Sequence, residues 1–425
     1  MPNQPSPRLL GIGIGSARDV LLATVIAGAI GYAITVAAGA VLGNPGYLPF
    51  ATFWSALFLI VGVLSGVQHE STRAARPVAS PASRTSHRVA VQLFVVTALA
   101  TGAIVGLSAP FWVPRAFPQL GTSLLWPMLV GAIGYLALCV GGGILAGLAS
   151  WRLLGIITIA DNLLRLIAVG IALALGSSMT VLAWCIALPF GAVGVVSALL
   201  VQRLAGQLYV ITDRLRSLLW NVVRTTATGA AMGLLIAGFP LLLAIYSGNE
   251  DPTRIAAIAF VANLVRSPLI VLTMSFQLVL VQRFRDSTAV LAQVVRLLAV
   301  LAGAGAVLTI LASAFGSHAL ELIFGGEYQL TVSDMTVLVA SAAPVAGMFV
   351  TGAALLGQGH HGAYFAGWAT SAALAVAALA LPVTLTVALP IALLVSPAIG
   401  MGIHVIALAR LLTATRTKNA VDQES

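Results

Sequence analysis

Arg266 lies near the middle of the apolar run 255–281, and a guanidinium at the centre of a membrane helix costs at least about 2.5 to 3.5 kcal/mol on an insertion scale. At about 100° per residue, Asn263, Arg266, Thr273 and Gln277 fall within an arc of about 80° on one helical face. Such a stripe cannot face lipid. Pro268, inside the same run, deprives the carbonyl of Leu264 of its helical donor, which is tolerable only beside protein or water. The stripe is either a cavity wall that offers a guanidinium to an anion, or an interhelical contact from Arg266 to a carbonyl or a carboxylate.

A second deep charge is Arg165. The stretch 166–176 is too short to cross a hydrocarbon core of about 30 Å, so the span must take in Asp161 and Arg165, with the arginine near mid-depth. Their i,i+4 spacing makes an intrahelical ion pair the natural structural reading. The functional reading adds both residues to the wall of a binding cavity. At the ends of spans, Arg18 and Asp19 open the first, while Glu70 and Arg73 close the second. These residues either anchor the helices at the interface or form a basic entrance that gathers an anionic headgroup.

Other chemistry is not indicated. There is no phosphate-binding Walker loop, no HExxH and no GxSxG. Gly11 to Gly15 resembles half a dinucleotide fingerprint but reads as a tail before a span. Cys139 and Cys185 stand alone in apolar runs, so neither a disulfide framework nor a metal site is expected. His360 and His361 are adjacent on a short turn and point about 100° apart on a helix, which suits turn residues better than a ligand pair. No catalytic residue, metal or cofactor is expected, and no basic stretch is interleaved with aromatics as nucleic-acid binding would require.

The elements that hold these charges follow from composition. Of 425 residues, 60% are hydrophobic and 8% charged, against roughly 25% charged in soluble domains. The expected class is an all-α polytopic membrane protein. Apolar blocks between charged or Pro/Gly-rich breaks give about twelve spans: 17–42, 46–68, 89–109, 122–148, 155–177, 180–202, 225–246, 255–281, 291–315, 332–356, 363–382 and 386–410. The first block exceeds the 7 to 15 apolar residues of a signal peptide core and is read as a retained span. Alternate loops and the two tails, 1–16 and 411–425, carry Arg8, Arg18, Arg73, Arg76, Arg84, Arg88, Arg152, Arg203, Arg214, Arg216, Arg224, Arg283, Arg285, Arg296, Arg410, Arg416 and Lys418. The opposite loops hold Arg115 and Arg254. The positive-inside rule puts both tails in the cytoplasm, so the net charge of +9 reads as topology.

Span starts in 17–202 recur roughly 200 to 210 residues later in 225–410, on either side of the basic linker 203–224, the layout of a transporter built from parallel repeats around a central site. Two pseudo-symmetric six-helix lobes around a central cavity are therefore expected. The pairs Gly39/Gly43, Gly102/Gly106, Gly143/Gly147 and Gly229/Gly233 have the spacing that lets helix backbones pack closely.

Three segments carry a family resemblance. The run Leu42-Gly-Asn-Pro-Gly-Tyr47 leading to Gly66-Val-Gln-His-Glu-Ser-Thr-Arg73 is similar to the opening pair of spans of polysaccharide and O-antigen flippases, within the multidrug/oligosaccharidyl-lipid/polysaccharide exporter superfamily. Asn263-Leu-Val-Arg-Ser-Pro268 through Gln282-Arg283 resembles their eighth span, and Leu322-Ile-Phe-Gly-Gly-Glu-Tyr328 the loop before their tenth. Where those proteins usually carry basic residues after span ten, this chain has His360 and His361.

The resemblance implies alternating access that carries a polyprenyl-pyrophosphate-linked oligosaccharide from the inner to the outer leaflet of the plasma membrane, for envelope polysaccharide synthesis. Arg266 would be a cavity cation, with Arg165 and Arg18 beside it. Partners would be that lipid-linked substrate, membrane lipids, and a polysaccharide polymerase or glycosyltransferases. A guanidinium suits a pyrophosphate because it is always charged and binds it in bidentate fashion. The rivals are a cation-coupled multidrug exporter, which would want buried carboxylates, and a non-transporting scaffold of an envelope-synthesis complex.

Overall fold

A computed structural model describes residues 17–77, 84–204, 209–211, 213–248, 250–285, 287 and 289–424. The Gly11–Gly15 segment and Arg8 lie outside them, and the side chains of Arg84, Arg416 and Lys418 are likewise not described. The chain is a multi-pass helical membrane protein whose residues fall into two compact units, 1–245 and 246–425.

The first unit begins with α1 (Ala17–Ala74), which Gly43 breaks in two with φ 65° and ψ 178°. Only glycine adopts such a conformation without strain, and Asn44-Pro45-Gly46 follow it. Then come β1 (Ala75–Pro77), α2 (Arg84–Ala116), α3 (Leu125–Gly147), α4 (Trp151–Ala174), α5 (Met179–Leu204), β2 (Tyr209–Ile211), α6 (Leu215–Ile236) and α7 (Phe239–Tyr246). Among the described residues ten helices are long and apolar enough to cross a membrane, and the pair α6–α7, bent by 71°, makes an eleventh. Because α1 contains two spans on either side of Gly43, the count agrees with the twelve read from the sequence.

Helix packing in this unit rests on residues without side chains. A Cβ on Gly66 would lie 2.5 Å from the backbone nitrogen of Thr226, and one on Gly229 would lie 2.5 Å from the carbonyl oxygen of Gly62. The second half of α1 and α6 therefore touch backbone to backbone, as Gly134 and Gly191 allow for α3 and α5. Of the four glycine pairs, Gly143/Gly147 and Gly229/Gly233 lie at such contacts, whereas a Cβ on Gly102 or Gly106 meets nothing within 4 Å and Gly43 is the break in α1.

Where α6 gives way to α7, Ser55 on α1 donates to the carbonyl of Ala237 and accepts from the N–H of Leu241 at 3.1 Å. Backbone groups freed at a break need such partners at membrane depth. Through these contacts 225–245 belongs to the first unit, and the boundary falls at Ile245/Tyr246, later than the expected 203–224 linker. The linker itself is tied down, since β2 pairs antiparallel with β1, Val210 opposite Arg76. Tyr209 of β2 is buried in a core cluster with Leu218 of α6 and Ile144 of α3.

The second unit holds α8 (Pro252–Arg285), α9 (Val290–Phe324), α10 (Val332–Ala340), α11 (Ala342–Gly357), α12 (His361–Ala380), α13 (Leu385–Pro390) and, after a π turn at Ile391–Val395, α14 (Ser396–Glu424). α11 is the inner helix: Val345, Ala346, Met348, Phe349, Ala353 and Leu355 are fully buried. α9 is peripheral and exposes Val300, Ile310 and Phe315, as a lipid-facing helix must. Gly367 of α12 admits the ring of His404 of α14, because a Cβ there would lie 2.1 Å from Nε2.

Replacing Gly66 by alanine should destabilise the protein by about 1 to 3 kcal/mol, since two backbones must part to admit the methyl group. Gly102→Ala, with open space around it, should be neutral or slightly stabilising. Thermal unfolding of the two variants in detergent checks the contrast.

Candidate functional site

On α8, Arg266 is 4% exposed and Thr273 is 8% exposed, with Asn263 and Gln277 half-buried. The exposed residues Leu272, Phe276 and Val279 occupy the other side of the helix, centred about 130° away at 100° per residue. The polar stripe is thus turned from the surface, as its composition requires. The Thr273 hydroxyl donates to carbonyls of its own helix, Leu269 at 2.8 Å and Ile270 at 3.0 Å. Gln277 reaches α12, its Nε2 donating to the Tyr364 hydroxyl at 3.4 Å.

On α4, Arg165 is 1% exposed and lies about 21 Å along the helix from Trp151 at 1.5 Å per residue. Its Nη2 donates to both oxygens of Asp161 at 2.9 Å, its Nε to the carbonyl of Ile186 on α5 at 3.0 Å, and its Nη1 to Asn162 Oδ1 at 3.4 Å. The guanidinium carbon lies 3.9 Å from the Phe190 ring centroid and 5.7 Å from that of Phe58, so the cation is also held over two aromatic rings. All three nitrogens donate within the unit. The structure therefore realises the intrahelical ion pair, and Arg165 and Asp161 do not present themselves as ligands to an anion.

At the end of α1, Glu70 is 3% exposed and accepts from Arg73 Nε at 3.0 Å and from Asn221 Nδ2 of α6 at 2.9 Å. Arg73 also donates to Asp213 at 2.6 Å. This network joins α1 to the chain around β2, so the Glu70/Arg73 pair works as an interfacial clamp more than as an open entrance. Nearby, burial pushes the Tyr209 phenol up to about 12. Arg18 is exposed at the first turn of α1, where Gly155 of α4 passes close to the carbonyl of Asp19.

Two further networks join residues far apart in the sequence. Arg254 of α8 donates to Asp334 of α10 at 3.2 to 3.3 Å, to Glu250 at 3.1 Å and to Thr386 of α13 at 3.3 Å; eighty residues separate Arg254 and Asp334. In α14, His404 is fully buried. Its Nε2 donates to the carbonyl of Tyr364 at 3.0 Å, and its Nδ1 lies 3.0 Å from the Thr351 hydroxyl of α11. A titratable residue inside an apolar run is a functional candidate on that ground alone, and this one was legible. His360 and His361 cap and open α12. Among the described residues no cluster of three potential metal ligands exists, and Cys139 and Cys185 are free.

The candidate residues thus fall into two groups. Arg18, Glu70, Arg73, Asp161 and Arg165 belong to the first unit, and the Arg266 stripe to the second.

No family model matches the sequence. The uncharacterized protein Rv1510 of Mycobacterium tuberculosis is 30% identical over 406 residues, covering 94% of this chain and 93% of that protein. The chain belongs to the same family as Rv1510. A second relative, the uncharacterized protein Rv3630 of the same organism, is 28% identical over 407 residues, with the same shares covered.

Among solved structures, an outward-facing multidrug resistance MATE family transporter of the MOP superfamily matches with a TM-score of 0.63 at 15% identity, over 94% of this chain and 96% of that one. A MOP superfamily transporter from Pyrococcus furiosus, described by a reversed polarity of its binding pocket that suggests a different function, matches with a TM-score of 0.57 at 16% identity, over 96% of each chain. The fold of this Rv1510-family protein is that of the MATE transporters.

Breaking the α4 ion pair from one side should be severe: Arg165→Met or Asp161→Leu alone should cost about 3 to 5 kcal/mol by leaving a buried charge uncompensated. The double variant should cost clearly less than the sum. A double-mutant cycle on unfolding in detergent reads the coupling, and additive losses would contradict the pairing.

Proposed function

We propose that this protein moves an anionic, lipid-linked glycan across the plasma membrane by alternating access, with a polyprenyl-pyrophosphate-linked oligosaccharide as cargo. The observation that carries this reading is how the buried charges are matched. The buried carboxylates among the described residues are Glu70, Asp161 and Asp334, and each is held by an arginine: Arg73, Arg165 and Arg254 respectively. A cationic cargo needs a carboxylate that is not already committed, and these three are. Arg266 adds a further buried guanidinium on a polar stripe at mid-helix, the charge that a pyrophosphate would seek.

The MATE fold supports a transporter, and the Pyrococcus furiosus protein is a precedent for a MOP superfamily pocket with altered polarity and a different function. Within this reading Arg266, Asn263, Thr273 and Gln277 face the cargo. Arg165 and Asp161 hold α4 to α5 and leave the cargo-binding set, while Glu70 and Arg73 fasten the end of α1. The prenyl tail stays in the bilayer throughout. Polymerases and glycosyltransferases that make and consume the glycan are the natural partners.

The second reading, a cation-coupled multidrug exporter, has in its favour that a fold neighbour is a multidrug resistance transporter. The two separate cleanly. Deleting the gene should cause a lipid-linked glycan intermediate to accumulate on the inner leaflet, and Arg266→Ala should reproduce this at normal protein abundance, with Arg266→Lys partly restoring transfer. Normal outward transfer in Arg266→Ala, or drug hypersensitivity without an accumulated glycan, favours the exporter.

A further inference from the structure

The start of α6 carries a recess that neither the ion pairs nor the Arg266 stripe explains. It has a volume of about 700 Å³ and is lined by Arg214, Arg216, Ser217, Leu219, Trp220 and Val223. Trp220 is 64% exposed and Val223 59% exposed, while Leu218 and Val222 on the opposite side of the helix are buried in the core cluster. The helix is therefore amphipathic in an unusual sense: one face is seated in the unit and the other presents an indole beside two guanidinium groups.

The depth of this face follows from its neighbours. Asn221 is bonded to Glu70 and Thr225 to the carbonyl of Gly66, so Trp220 stands level with the point where α1 passes from apolar to charged residues. That is the polar boundary of a bilayer, where tryptophan concentrates. The charge of the recess is also unbalanced. Asp213, the nearest acid in the chain, is taken by Arg73 on α1, and the guanidinium groups of Arg214 and Arg216 bond no described residue.

We propose that this recess seats the headgroup of an anionic phospholipid from the leaflet on the side of the basic loops. The phosphate would lie between Arg214 and Arg216 with the Ser217 hydroxyl as a further donor, and the glycerol and upper acyl chain would lie against Trp220 and Val223. The lipid is a resident of the first unit and is independent of any cargo. Its docking joins the bilayer to the segment that β1, β2 and the Glu70 network tie to α1.

The test uses the full chain in phosphatidylcholine bilayers and reads Trp220 emission as the difference between the parent and Trp220→Phe, since the chain has seven tryptophans. Brominated phosphatidylglycerol should quench that emission at a mole fraction roughly tenfold lower than brominated phosphatidylcholine, given two guanidinium contacts. The preference should vanish in Arg214→Gln/Arg216→Gln, whose changes lie on the surface and leave the fold intact. Equal quenching by the two lipids, a preference that survives in the double variant, or no quenching of Trp220 by either lipid overturns the proposal. Inorganic phosphate separates the two sources of such an anion: millimolar phosphate should leave the phosphatidylglycerol preference unchanged, and its loss would assign the recess to a free anion instead.

Discussion

The constraint from which the rest of this structure follows is that a charged side chain in hydrocarbon must have its charge answered close by. Transfer of an isolated carboxylate or guanidinium into a low-dielectric interior costs far more than a domain's net stability, and a partner with good geometry recovers most of that cost. Arg165 shows the full solution. It has a bidentate carboxylate one turn away, a backbone carbonyl on the next helix and two aromatic faces. A residue that looks exceptional in the sequence becomes, in the fold, a rivet between α4 and α5.

The same rule sorts the other ionic contacts. Glu70 with Arg73 and Asn221 ties α1 to α6, and Arg254 with Asp334 and Glu250 ties α8 to α10. These contacts sit toward helix ends, where one side can reach water, and between α1 and α6 the remaining contact is made by glycine and apolar side chains. Gly62, Gly66, Gly229 and Gly233 bring two backbones together where lipid offers no hydrophobic drive for association. Ser55 meets the remaining need, supplying a donor and an acceptor where α6 breaks into α7.

With the carboxylates committed, what the buried polar surface can recognise is narrowed. In the proposed function Arg266 on α8 carries the weight, because its stripe faces away from the exposed Leu272–Val279 side and because a guanidinium matches a phosphate in shape and charge. The fold is that of the MATE transporters, and within the proposed function the direction of the buried charge favours an anion.

Much of this was determined by the sequence alone. The all-helical membrane class, the number of spans, the i,i+4 pairing of Asp161 with Arg165 and the inward turn of the Arg266 stripe all follow from local periodicity and the cost of burying charge, which act over one or two helical turns. Helix ends do not: α6 begins at Leu215, ten residues before the apolar run 225–246, and α9 runs on to Phe324, nine beyond 291–315. The tertiary structure decided which of the deep charges are answered by neighbours far along the chain. Ile186 and Phe190 complete the shell of Arg165, Asp213 and Asn221 convert Glu70 and Arg73 from an entrance to a clamp, and Asp334 finds Arg254 across eighty residues. It also set the unit boundary at the end of α7, because glycines distant in sequence let α6 lie against α1. Hydropathy records how deep a residue sits, but a partner's identity depends on which helices become neighbours, and that is fixed only when the backbones pack.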